Sequence, residues 1–162
     1  MKTRWSVALL LLLIIAAGAA ASEPARSRAA EALEIARASR AGWRLGRLTV
    51  ETRQDRPPRV RAELMSSGAV VARLRVDPAT GGFLAKDERA QAVTTPRDLD
   101  RLRSDVEREL GRLDVGGWTW PSEHGRAWGV PVRYRERVVG RLKVDVQERR
   151  LLAERNHDED DD

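Results

Sequence analysis

The sequence predicts an α+β protein of two tandem units, each one helix packed on a short antiparallel sheet of three to four strands. Three observations predict it. Residues 71–88 read VARLRVDPATGGFLAKDE and residues 139–156 read VGRLKVDVQERRLLAERN, an internal repeat at an offset of 68. Val71, Arg73, Leu74, Val76, Asp77, Leu84 and Ala85 recur as Val139, Arg141, Leu142, Val144, Asp145, Leu152 and Ala153, and Lys143 stands for Arg75. Period-2 alternation of apolar residues falls at the same place in both copies, and a helical pattern precedes each. The expected divisions are a signal peptide at 1–21, a first unit at 22–88, a linker at 89–95, a second unit at 96–156 and an acidic, disordered tail at 157–162.

The first residues have the order of a secretory signal: Lys2 and Arg4, an apolar run, then the small residues Ala16, Ala17, Gly18, Ala19, Ala20 and Ala21. Residues 7–21 number 15, seven of them Ala or Gly, which is short of the roughly 20 apolar residues of a spanning helix. Cleavage after Ala19 or Ala21 is expected, giving a periplasmic or secreted protein; an uncleaved segment would leave it membrane-anchored. The chain has no Cys, which removes disulfides, thiol catalysis and Cys-ligated zinc. Without the two basic residues of the signal, 28 basic residues face 25 acidic ones, and five of those acids are residues 158–162. The body is therefore basic, almost entirely through Arg, which is a weak pointer to an anionic partner.

The first helix is expected at 25–40, with a small face of Ala29, Ala32, Leu33 and Ala36. A loop at 42–46 leads to a strand at 48–52 with Leu48, Val50 and Thr52 on one side. Val60, Ala62 and Leu64 alternate next, Ser66, Ser67 and Gly68 turn the chain, and Val70, Ala72, Leu74 and Val76 return on the apolar face with Arg73 and Arg75 opposite. In the second copy Leu99, Leu102, Val106, Leu110 and Leu113 form one helical stripe. Thr95 is its expected cap, Pro96 suits its first turn, Asp98 completes a capping box and Gly111 ends it. Trp118 and Trp120 would occupy the next strand. Trp128, Val130 and Val132 then alternate, Tyr134, Arg135 and Glu136 turn, and Val138, Gly140, Leu142 and Val144 return with Arg141 and Lys143 opposite. Pro131 cannot donate to a ladder, so its strand is predicted to be an edge there or to carry a bulge.

After the last long strand of the first copy come Val76, Asp77, Pro78, Ala79, Thr80 and Gly81, then Phe83 and Leu84. This reads as a turn: Asp77 accepts from amides two residues on, Pro78 presets the first corner, and Gly81 or Gly82 supplies positive φ. The second copy keeps Asp145 but lacks the Thr and Gly, so its turn is expected to be built differently. A helix, an antiparallel meander and Val-Asp-x-x-Thr-Gly before an apolar pair resemble the PepSY domain, once per repeat, with the second copy diverged. PepSY domains are similar to parts of the propeptides of thermolysin-like metallopeptidases. The resemblance implies binding or inhibition of peptidases, or ligand sensing outside the cytoplasm, and it implies no catalytic residues.

The residues themselves suggest no active centre. His124 lies in a predicted loop and His157 precedes the acidic tail, and neither has the neighbours of a catalytic triad or a calcium loop. No catalytic residue, metal or cofactor is predicted. Trp118, Trp120 and Trp128 are one candidate binding set. Core filling competes with an exposed aromatic patch for a protein or peptide, and the single Phe and single Tyr favour core filling. Arg73, Arg75, Arg141 and Lys143, with Arg133, Arg135 and Arg137, are the other set: either an ordinary solvated face or one that attracts anionic lipid or an anionic envelope polymer. Nucleic acid is unexpected for an exported protein. Asp77, Thr80, Gly81 and Asp145 are assigned to turns. The expected function is a non-enzymatic exported PepSY-like binding module, a peptidase inhibitor or regulator; the alternative is an envelope structural or polyanion-binding protein.

Overall fold

An Ala-rich stretch without Gly or Pro after Pro24 forms helix α1, Glu23–Ser39, which buries Ala32, Ile35 and Ala36. The expected face of Ala29 and Leu33 is only half-buried, and Ile35 sits nearer its centre. The helix ends in a 3₁₀ turn, Arg40–Gly42. There the Ser39 hydroxyl donates to the Ala36 carbonyl at 2.7 Å and accepts from the Trp43 indole at 3.1 Å. The computed structural model describes residues 23–53, 56–90, 98–122 and 127–154. The predicted signal, most of the predicted linker with Thr95 and Pro96, His124, His157 and the acidic tail lie outside the described residues.

Four antiparallel strands follow in the order β1, Arg44–Arg53; β2, Arg56–Ser66; β3, Ala69–Val76; and β4, Phe83–Leu84. Helix α2, Leu99–Leu110, comes next. Asp98 caps it, its carboxylate accepting from the Asp100 amide at 3.1 Å. The predicted stripe splits: Leu102 and Val106 are buried, Leu99 is 53 % exposed, and Leu113 is fully buried but belongs to a strand. The second sheet is β5, Leu113–Val115; β6, Trp120–Pro121; β7, Trp128–Tyr134; β8, Arg137–Asp145; and β9, Arg150–Leu151. Its order is β5-β7-β8-β9, with β6 also paired to β7. The molecule is thus α+β, with one long and one short helix and two antiparallel sheets.

The expectation that each helix lies on the sheet next to it in sequence is corrected. Helix α1 lies across β5, β7, β8 and β9 of the second sheet. Helix α2 lies against β1, where the Arg103 guanidinium donates to the Gly46 carbonyl at 3.1 Å, and against the turn between β3 and β4, where Gly81 meets Asp105. The sheets also touch each other: Leu74 of β3 fills the space over Gly140 of β8. One apolar cluster runs through both sheets and both helices. A 60-residue unit buries only about 60% of its unfolded surface by itself, and exchanging helices joins two small cores into one.

The strand faces depart from strict alternation at one matching place in the β2–β3 and β7–β8 pairs, and the β1–β2 pair shifts register as well, between Leu45 and Leu48 and between Glu51 and Arg53. Pairing of β2 with β3 passes from Leu64–Ala72 to Met65–Val70, leaving Val71 as an extra residue. Pairing of β7 with β8 passes from Val132–Gly140 to Arg133–Val138, leaving Val139, 68 positions later. A bulge reverses which side the following residues face. Val71 and Val139 are therefore buried, whereas Val70 is half-buried and Val138 is 40 % exposed. Both hairpins close through two residues of positive φ, Ser67 (50°) with Gly68 (80°) and Arg135 (47°) with Glu136 (68°), the φ signs of a tight type I′ turn.

Pro131 is not on an edge. Strand β7 is flanked by β8 on one side and by β5 and β6 on the other. The Pro131 carbonyl accepts from the Gly116 amide at 2.8 Å, so the missing N–H points to that same side. There the partner strand leaves the ladder between Val115 and Trp120. The interruption that a proline imposes is taken up by its neighbour.

The turn after β3 is as expected. Asp77 accepts from the Ala79 amide at 3.1 Å and from the Thr80 hydroxyl at 3.0 Å, and Gly81 has φ 74°. The turn after β8 follows the same course but, as expected from its lack of Thr and Gly, is built from different groups. Asp145 accepts from the amides of Gln147 at 2.9 Å and Glu148 at 3.0 Å, and Arg149 takes the left-handed position with φ 50°. One side-chain oxygen accepting two amides does what the Asp77 side chain and the Thr80 hydroxyl share in the first turn.

Candidate functional site

Strand β7 turns Val130, Val132 and Tyr134 into the core and Gly129, Pro131 and Arg133 the other way, where Gly129 and Pro131 are themselves buried, Gly129 against Trp120 and Pro131 against Gly116. On that face Lys143 stands beside Gly129 and Arg141 beside Pro131, while Trp120 of β6 stands on the other side of Gly129. A Cβ on Gly129 would enter the Trp120 indole, so the ring lies over the glycine backbone. Two residues earlier Trp118 is 51 % exposed. Arg141 and Lys143 are both exposed, and among the described residues no acid pairs with either. Trp120, Lys143 and Arg141 therefore come together on one face.

The remaining predicted site residues are placed elsewhere. Trp128 shares its row with Val144, on the inner face, and packs half-buried against the core. Trp118 lies outside any strand. The three Trp thus form neither a core cluster nor a single patch. Among the described residues the buried tryptophan is Trp43, 5 % exposed, between the 3₁₀ turn and β1. Arg73 is paired with Glu63 at 3.8 Å. The Arg75 guanidinium donates to the carbonyls of Ala85 at 3.1 Å, Lys86 at 2.7 Å and Glu88 at 2.8 Å. It pins the segment after β4 and is a structural group. Arg137 is ion-paired with Glu88. Of the predicted basic face, Arg141 and Lys143 are the two with no acid partner among the described residues.

At the far end of the same face a cleft of about 340 Å³ is lined by Arg40, Arg112, Asp114, Arg133, Arg135 and Glu136. Its charges are mostly matched within it. Arg40 is 3.6 Å from Asp114 and donates to the Gly111 carbonyl at 3.1 Å. Arg112 Nη1 donates to both Glu109 carboxylate oxygens at 2.9 and 3.0 Å, and Arg133 is paired with Glu136. Arg40 and Arg112 could not be picked out beforehand, because they lie outside the repeated strands.

Beneath the cleft the Tyr134 hydroxyl donates to the buried carboxylate of Glu109, and the Tyr134 ring meets Phe83 edge-on at 5.5 Å. Arg135 covers the other side of the ring at 5.0 Å. Burial, the hydrogen bond to Glu109 and the charge of Glu109 raise the Tyr134 pKa, opposed by Arg135 and Arg112. A phenol whose pKa is higher folded than unfolded contributes stability that is complete below about pH 10 and is lost as the pH rises through the folded value. Because Tyr134 is the single tyrosine, its phenolate absorbance should appear only above the usual tyrosine range. The denaturation midpoint should fall over the same interval, and Tyr134→Phe should flatten that fall.

No helix among the described residues is long and apolar enough to cross a membrane. Among the described residues no group of three or more His, Cys, Asp or Glu could hold a metal ion. No protein-family model matches the chain, and no curated protein or solved structure matches it.

Proposed function

We propose that the chain is an exported, non-enzymatic binding module built of two PepSY-like copies, and that it holds its partner on the outer face of the second sheet. The observation that carries this reading is the grouping of Trp120 with Arg141 and Lys143, two exposed cations with no acid partner among the described residues. Exposed Trp118 lies two residues along the chain from this group. A surface with ring area and unspent charge is the kind that yields binding energy when covered. Duplication is supported by the extra residues Val71 and Val139, the Asp77 and Asp145 turns, and the left-handed Gly81 and Arg149, each pair 68 apart. Export rests on the apolar segment and small residues at 7–21. A peptidase as partner rests on the PepSY likeness of residues 76–84 alone. An anionic envelope polymer is the second reading, favoured by the exposed Arg141 and Lys143.

The test is retention from an envelope extract on the immobilised full chain, compared with the double variant Arg141→Glu, Lys143→Glu. Both side chains are exposed, so the variant should keep its unfolding midpoint within about 0.5 kcal/mol. It should lose the retained partner. Identical retention by the two proteins would remove this face from consideration, and a peptidase among the retained proteins would support the peptidase-directed version.

A further inference from the structure

We infer that the outer face of the second sheet takes a linear polysaccharide bearing carboxylates, with one sugar ring stacked on the Trp120 indole and the acid groups met by Lys143 and Arg141. The inference rests on the binding-module reading of this face and names its ligand class. Trp120 lies over Gly129, where the absence of a side chain lets the ring settle against the backbone as a half-buried shelf. The weakly positive C–H face of a sugar ring suits the negative face of an indole. Lys143 is the cross-strand neighbour of Gly129, and Arg141 is one row further along, beside Pro131. Rows on one strand face are about 6.8 Å apart, so Lys143 and Arg141 offer two cations along the strand to the acid groups of one flexible sugar chain. Arg133 extends the same side by a third row, though it is already paired with Glu136.

The face favours a sugar chain over an acidic peptide. An extended peptide gains most by pairing its amides with a strand edge, and the middle of a sheet face has its backbone groups already paired. A sugar chain has no amide ladder to satisfy and needs only a ring platform and charge partners. A single nucleic-acid strand would also use stacking and cations, and it is the competing outcome of the test.

The experiment is calorimetric titration of the full chain with an oligogalacturonate. The methyl-esterified oligomer, an oligothymidylate and inorganic phosphate serve as comparisons. Binding of the free-acid oligomer should weaken with added salt. It should weaken roughly tenfold in Arg141→Glu and again in Lys143→Glu, as expected when an attraction is turned into a repulsion. Trp120→Ala should lose most of the affinity and Trp120→Phe should keep part of it. If Trp120→Ala unfolds, the two exposed charge variants decide alone. Equal affinity for the esterified oligomer, no effect of the charge variants, tighter binding of the oligothymidylate, or full competition by phosphate would each overturn the inference. If the oligogalacturonate fails while the double charge variant still loses its envelope partner, the ligand class is wrong and the binding face stands. If both fail, the face itself is wrong.

Discussion

Residues 23–90 produced without the rest of the chain should not fold, and neither should residues 98–154; mixing the two should restore a cooperative structure. The physical reason is the exchange of helices. In the first half β2 and β3 present Val60, Ala62, Leu64, Leu74 and Val76 to the core, and α2, which lies against that sheet, comes from the second half. Burying Leu102 and Val106 of α2 contributes about 3–6 kcal/mol, against a whole-domain stability of about 5–15 kcal/mol. The second half loses in turn the Ile35 face of α1 and the Arg149–Glu31 pair. Leu74 would also lose its seat over Gly140. The measurement is denaturant unfolding followed by circular dichroism on each half and on the equimolar mixture. A sigmoidal transition in either half alone would mean that each sheet is self-sufficient.

Gly81→Ala should cost about 2–5 kcal/mol, while Arg149→Gly, at the matching position 68 residues on, should gain up to about 1 kcal/mol. Both residues have positive φ, 74° and 50°, a conformation that costs a residue with a Cβ about 1–2 kcal/mol. What separates them is the surroundings. A Cβ at Gly81 would lie 2.6 Å from the Asp105 Cβ and 3.1 Å from the Asp105 carbonyl carbon, and helix backbone cannot give way as a side-chain tip can. Arg149 is exposed and pairs with Glu31 on the surface, so it bears the conformational cost without a clash. Replacing it by Gly relieves that cost, offset in part by the lost ion pair and the freer unfolded chain. Unfolding midpoints of the two single variants check both signs. A destabilising Arg149→Gly of more than about 1 kcal/mol would show that the Glu31 contact outweighs the strain.

Much of the strand pattern was legible, because alternation and repetition are local properties. The positions of β2, β3, β7 and β8, both hairpins and the Asp77 turn follow from residue spacing alone. The bulges were not legible: whether Val70 or Val71 faces inward depends on a single extra residue, and both are valine. The second turn escaped for a related reason, since Arg149 in a left-handed conformation has no composition signal. The candidate face was half legible. Arg141 and Lys143 stood out in the repeat, yet nothing local distinguished them from Arg73 and Arg75. The distinction arises from Glu63 across the strand and from three carbonyls after β4.

By itself the sequence determined the α+β composition, the faces of β2, β3, β7 and β8 apart from one residue in each pair, and the absence of cysteine chemistry; it did not determine the apolar side of β1, where Val50 is 42 % exposed. Only the tertiary structure decided, among the described residues, which sheet each helix covers, which tryptophan is buried and which cations find an acid partner. Those outcomes depend on contacts between residues distant in the chain, such as Leu74 with Gly140 and Glu31 with Arg149. Periodicity fixes which side of an element is apolar, but it does not name the surface that will cover it.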